Sequence, residues 1–358
     1  MRLWPGFMTR RRAIVVAVTV VVVLLAFPVV RDRMQAGAAV LETFGVAVPR
    51  PFAPDPAPET AVIGGVTGRL YAVEDGQAIL VIPGATPQGV EDSRVNDVAR
   101  SLTRSGRTVF IPEMELYRER FAIEDLERIV AAVVGLAERS NEPVTVLGFS
   151  YGGSFALVAA ADPRMEGRLS RVATLGAYYD LVGVIQAVTT GGSLIGDEFI
   201  PWEGHPIARD FLTARTAELL PDNQRDALME AVEGRVDPDD LAPDARALYD
   251  LLVNTDPRQV AQLVERLPAE FRTVIDEFSP SAIADRITVP VFAMHSTDDP
   301  LVPYAELARL EAGMPQARTS KVHLLRHVDF EPMSAAGWRD ALPDLLQLWN
   351  FTSWILDG

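Results

Sequence analysis

The sequence predicts an α/β fold, a mostly parallel sheet with helices on both faces. Three observations point there. Continuous apolar runs such as "AILVIPGA" (Ala78–Ala85) and "VTVLGF" (Val144–Phe149) read as strands buried on both faces. "IEDLERIVAAVVGLAERS" (Ile123–Ser140) repeats its apolar positions every three or four residues, the mark of an amphipathic helix. Such strands and helices alternate along most of the chain, as βαβ units do.

The elements follow in order. Arg10, Arg11 and Arg12 precede an uncharged run from Ala13 to Val30, and Arg31 and Arg33 follow it. As a helix this run spans about 27 Å, close to a hydrocarbon core of about 30 Å. A transmembrane anchor over 1–33 is expected. Its N-terminus would be cytoplasmic by the excess of upstream arginine, and the rest of the chain extracytoplasmic. The rival reading is a signal peptide cut near "AGA" (Ala36–Ala38), which would release a secreted domain. Residues 34–60 read as a juxtamembrane segment and linker, since Val48–Thr60 holds five prolines and favours a stiff spacer.

The α/β core, 61–180 and 288–358, starts with a hairpin in "TAVIGGVTGRLYAVEDGQ". Strands are expected at Ala78–Ala85, Arg107–Met114, Val144–Phe149, Val172–Asp180, Val289–Ser296 and Lys321–Arg326. Helices are expected at Glu91–Arg104 and Ile123–Ser140, from Tyr151, from Tyr304, and at Ala335–Trp349. Residues 181–287 show helical signals only, such as Asp256 capping a helix with Pro257 in its first turn. That segment carries 20 Asp/Glu against 9 Arg, a net of −11 within a chain of −16. It reads as an all-helical acidic lid.

Composition excludes several chemistries. There is no cysteine, hence no disulfide, thiolate metal site or cysteine nucleophile. The charge of −16 is hostile to nucleic acid. No motif implies a cofactor.

"GFSYG" (Gly148–Gly152) places Ser150 where a strand is expected to end and a helix to begin. A serine on so sharp a turn needs glycine at 148 and 152, where side chains would collide. The turn would expose the hydroxyl and leave the Tyr151 amide at a helix N-terminus, facing an oxyanion. A serine needs a base. Of four histidines, His205 falls in the helical segment, His295 in a strand and His323 mid-strand, whereas His327 lies just past a strand end. Asp298 and Asp299 in "HSTDDPLVP", with Asp180 as a weaker rival, could orient the imidazole. "IPGATPQG" offers the Ala85 amide as a second oxyanion donor.

On "PGATPQG", "GFSYGG", "HSTDDPLVP" and "RHVDF", the chain resembles the α/β-hydrolase superfamily from about Ala61 to its end. The resemblance implies a lid after the sixth strand. It picks Asp299, which stands before "PLVP", over Asp298, and it supports His327. It departs from the family at Pro83-Gly84, where His-Gly is usual, and the lid matches no recognised sub-family. The implied activity is carboxylic ester cleavage by Ser150, His327 and Asp299. Acyl transfer, peptide cleavage and a non-catalytic binding module are the alternatives. Phe199, Trp202 and Phe278 suggest a partly hydrophobic substrate, or simply the core of the lid.

Overall fold

The computed structural model describes residues 31–44, 46–50, 53–118, 122–328 and 341–357. The run Ala13–Val30, with its expected membrane span, lies outside them. Among the described residues no helix is long and apolar enough to cross a membrane.

Eight strands form one sheet in the order β1-β2-β4-β3-β5-β6-β9-β10. They are β1 (Glu59–Ile63), β2 (Val66–Tyr71), β3 (Ala78–Ile82), β4 (Thr108–Pro112), β5 (Val144–Phe149), β6 (Leu169–Leu175), β9 (Val291–Ser296) and β10 (Arg318–Val322). Only β1–β2 and β2–β4 pair antiparallel; the other pairs are parallel. The parallel strands therefore all end at one edge, where loops can converge. Side chains alternate across the sheet. Leu80 and Ile82 enter one core while Ile79 and Val81 enter the other, which is why β3 had to be apolar throughout.

Helices cover both faces. On one lie α3 (Ile123–Ser140) and α4 (Tyr151–Ala159), burying Ile129, Val133 and Phe155, together with α11 (Ala305–Gly313), burying Leu307 and Leu310. On the other lie α2 (Ser93–Arg104) and α12 (Leu342–Leu356), burying Leu102, Leu348 and Phe351. Each such side chain stabilises the fold by about 1.5–3 kcal/mol. Two boundaries differ from expectation. β10 ends at Val322, because the amides of His323 and Leu324 turn to the Asp344 carboxylate instead of a neighbouring strand. α12 continues to Leu356, its Phe351 and Ile355 being buried.

Residues 31–43 form a helix, α1, that packs Ala36 and Val40 into the second core beside α2 and α12. The Trp349 indole donates to the Arg33 carbonyl at 2.7 Å. Arg50 then binds Glu42 and the Ser105 hydroxyl, and Thr60 already belongs to β1. This corrects the expectation of a spacer over Val48–Thr60. Arg50 near one end and the β1 residues Glu59 and Thr60 at the other fasten it to the domain instead of holding the domain away.

Between β6 and β9 lie α5 (Leu181–Thr190), α6 (Pro206–Ala217), α7 (Asp222–Val232), α8 (Pro243–Leu252), α9 (Val260–Glu265) and α10 (Ala269–Glu277). The all-helical expectation misses an antiparallel hairpin, β7 (Gly192–Ile195) and β8 (Glu198–Pro201). Its turn is Gly196-Asp197, with Gly196 at φ 62°, a pair that favours tight hairpins. α9 starts three residues after Pro257, because the Asp256 carboxylate instead closes a turn onto the Arg258 amide.

A buried carboxyl joins this segment to the core. Glu306 of α11 accepts from the amides of Tyr179 and Asp180, at 3.0 and 2.8 Å, where α5 begins. Arg309 lies 3.1 Å from its other oxygen. Burial pushes the Glu306 carboxyl up to about 7, against the lowering effect of Arg309 and the two amides. A folded-state value above the ordinary 4.5 means stability that is complete below pH 4.5 and lost as pH rises through 7. The loss approaches roughly 3 kcal/mol. Glu306→Gln stays neutral throughout. Urea unfolding should thus show the variant gaining on wild type between pH 5 and pH 8; a pH-independent difference would refute this.

Candidate active site

Ser150 sits between β5 and α4 at φ 52°, ψ −133°. Among the described residues only four non-glycines have positive φ, and two of them are Ser150 and His327. Such backbone costs of order 1–3 kcal/mol per residue and persists where surrounding structure enforces it. The enforcement at Ser150 is visible. A β-carbon on Gly152 would lie 2.3 Å from the Pro83 carbonyl, and one on Gly148 would lie 2.4 Å from the Gly153 Cα. The elbow therefore packs backbone against backbone. The Ser150 amide donates to the Leu175 carbonyl at 2.8 Å, which ties the turn to β6.

His327 follows β10 and Asp299 follows β9. His327 Nδ1 lies 2.7 Å from Asp299 Oδ2. The other oxygen, Oδ1, accepts from the Leu301 and Val302 amides, each at 2.9 Å. Burial alone would raise the Asp299 carboxyl, but the charge and hydrogen bonds of His327 and His295 overcome it and hold the group well below the usual carboxylate range. Asp298 points to solvent, with the Thr297 hydroxyl 3.5 Å away. Asp180 caps α5 by accepting from the Val182 amide. His323, expected mid-strand, lies past the strand end; its side chain is 69% exposed, with Nδ1 3.5 Å from the Asp344 carboxylate. His205 caps α6 through Nδ1.

Ser150, His327 and Ala85 line one cavity of about 450 Å³. A β-carbon on Gly84 would come within 2.8 Å of the Ser150 Cβ, so this loop passes directly against the serine, with Ala85 next along it. Val95, Val98, Phe149 and Leu301 make apolar wall, and α6 closes one side with Ile207, Ala208, Phe211 and Ala214. The Tyr151 ring also lines the cavity, 5.3 Å from the Phe211 ring. Burial, then the Asp299 charge, pushes its phenol far up, so the ring is neutral wall. Arg94 and Asp92 pair at 2.8 Å in the same lining. Of the aromatic residues read as substrate contacts or as core of the lid, none lines this cavity. Phe278 packs on Phe155 in the core, the Trp202 indole bonds the Asp299 carbonyl, and Phe199 is half-exposed.

Two contacts went unread in the sequence. His295 is buried, and its Nε2 lies 3.3 Å from Asp299 Oδ2 and 3.1 Å from the Val302 carbonyl. Both partners accept, so Nε2 carries the proton and Asp299 Oδ2 holds two imidazoles. Its four-residue separation from Asp299 was the only hint. The Trp202 indole, from the segment between β6 and β9, donates to the Asp299 carbonyl at 2.7 Å. Nothing local in the sequence signals that reach.

A parallel sheet with a strained serine elbow at its centre defines the α/β-hydrolase class. A model of the alpha/beta hydrolase fold matches residues 80–331, and this chain belongs to that family. No curated protein matches it in sequence. Among solved structures it is similar to an esterase/lipase from an uncultured bacterium, at 14% identity and TM-score 0.47, covering 90% of this chain and 99% of that one. It is similar to an esterase from the archaeon Pyrobaculum calidifontis, at 17% identity and TM-score 0.45, covering 90% and 93%. It is also similar to a meta-cleavage product hydrolase from Pseudomonas fluorescens, at 16% identity and TM-score 0.43, covering 82% and 96%.

Proposed function

We propose that this chain is a membrane-anchored serine hydrolase that cleaves carboxylic esters with an apolar acyl group. The observation that carries the reading is the strained Ser150 in one cavity wall with His327, whose Nδ1 is taken by Asp299. With its Nδ1 proton donated to Asp299, His327 presents Nε2 as the proton acceptor. Ser150 Oγ attacks the acyl carbon as its proton passes to Nε2. The oxyanion meets the Ala85 and Tyr151 amides. Collapse expels the alcohol, which takes the proton from Nε2. Water then attacks the acyl-enzyme by the same route and releases the acid. The segment 181–287 acts as a lid, supported by the α6 residues along the cavity. The run Ala13–Val30 supports an anchor with the catalytic domain outside.

Reaction with a fluorophosphonate, followed by peptide mass spectrometry, tests the nucleophile. An adduct on the peptide carrying Ser150 is expected. No adduct on folded protein, or one on another serine, would overturn the assignment.

A further inference from the structure

A second hollow adjoins the Ser150 cavity. It measures about 50 Å³. Ala39, Val40 and Thr43 of α1 lie on one side, and Leu348, Phe351 and Ile355 of α12 on another. Val98 and Phe149 line both spaces, so these two side chains are the partition between them. Phe149 directly precedes Ser150 in the chain.

The hollow has the character of a dry apolar site. Of the three hydroxyl residues around it, Thr43 donates to the Val40 carbonyl at 2.7 Å and Ser101 to Glu42 at 2.8 Å, which leaves Thr352 among otherwise apolar side chains. Apolar cavities of this kind exclude water and accept hydrocarbon. Two of its walls come from outside the family match. α1 and α12 lie outside the residues matched by the family, 80–331, while α2 and β5 lie inside them. The hollow thus lies where α1 and α12 meet α2 and β5, beside the residue that precedes Ser150.

We infer that this hollow is a tail subsite. The acyl chain of an ester bound at Ser150 passes between Val98 and Phe149 and ends beneath α1. The inference rests on the reading of Ser150 as the nucleophile, and it narrows the substrate to esters of long, unbranched fatty acids. A methylene chain fits the partition because it is thin, flexible and needs no polar partner. A ring or charged group meets two apolar side chains and a hollow too small to hold it. Each methylene taken from water strengthens binding about fourfold, so a hollow this size discriminates between chain lengths.

The test compares hydrolysis of p-nitrophenyl butyrate and p-nitrophenyl laurate by the full chain in detergent micelles. Val40→Phe and Thr352→Leu fill the hollow from different helices, and neither residue lines the Ser150 cavity. Two helices are used so that loss of one variant to misfolding leaves the other, with unfolding curves as the check. Butyrate kcat/KM should stay at the wild-type value while laurate kcat/KM falls about tenfold or more. An unchanged laurate-to-butyrate ratio in a folded variant overturns the tail subsite and leaves the reading of Ser150 standing. Failure of folded wild type to hydrolyse either ester overturns both.

Discussion

Ser150→Ala is expected to lower ester-hydrolysis kcat by at least about 10⁴-fold, leaving what binding and oxyanion donors supply. The loss should come without loss of fold. Ser150 stands at the N-cap of α4, yet its side chain makes no capping hydrogen bond there. Alanine keeps the β-carbon that the Gly84 loop packs against. The urea midpoint should therefore stay within about 0.5 kcal/mol of wild type, as for substitutions that break no packing or cap. Stopped assays on purified variant and wild type, paired with unfolding curves, measure both. Activity within about tenfold of wild type would remove Ser150 from the chemistry.

Asp299→Asn should cost roughly 10³–10⁴-fold in kcat/KM, through a specific reversal of hydrogen bonding. Oδ1 accepts from two backbone amides, at Leu301 and Val302. The asparagine oxygen must remain there, or two buried donors lose their acceptor. Its NH₂ then replaces Oδ2, which now faces His327 and His295. A donor opposite His327 Nδ1 drives the proton onto Nε2, the atom that receives it from Ser150 in the proposed mechanism. Asp298→Asn is the control. Its side chain is exposed and touches none of these groups, so kcat/KM should move less than about twofold, as at ordinary surface positions. Equal effects at the two positions would refute the assignment of the acid.

Much of this was legible in the sequence for local reasons. β3 and β5 declare themselves because both faces are covered, which forces apolar residues at every position. The elbow declares itself because its sterics act within two residues of Ser150. The hairpin β7–β8 also carried a local sign, Gly196-Asp197, but its four-residue strands are too short for alternation to stand out. His323 was misplaced because "KVHLLR" is apolar enough for a longer strand, while the Asp344 carboxylate that ends β10 lies on a helix twenty residues away.

The sequence by itself determined the type of sheet, the strained serine turn and the supply of an acid and a histidine downstream of it. Each depends on periodicity or on contacts between near neighbours. The family resemblance picked Asp299 over Asp298, but only the tertiary structure decided that His295 shares the Asp299 carboxylate and that α1 lies on the domain beside Phe149. Those outcomes depend on the direction of a side chain at a strand end and on packing between segments far apart in the chain. Neither leaves a local pattern in the residues that produce it.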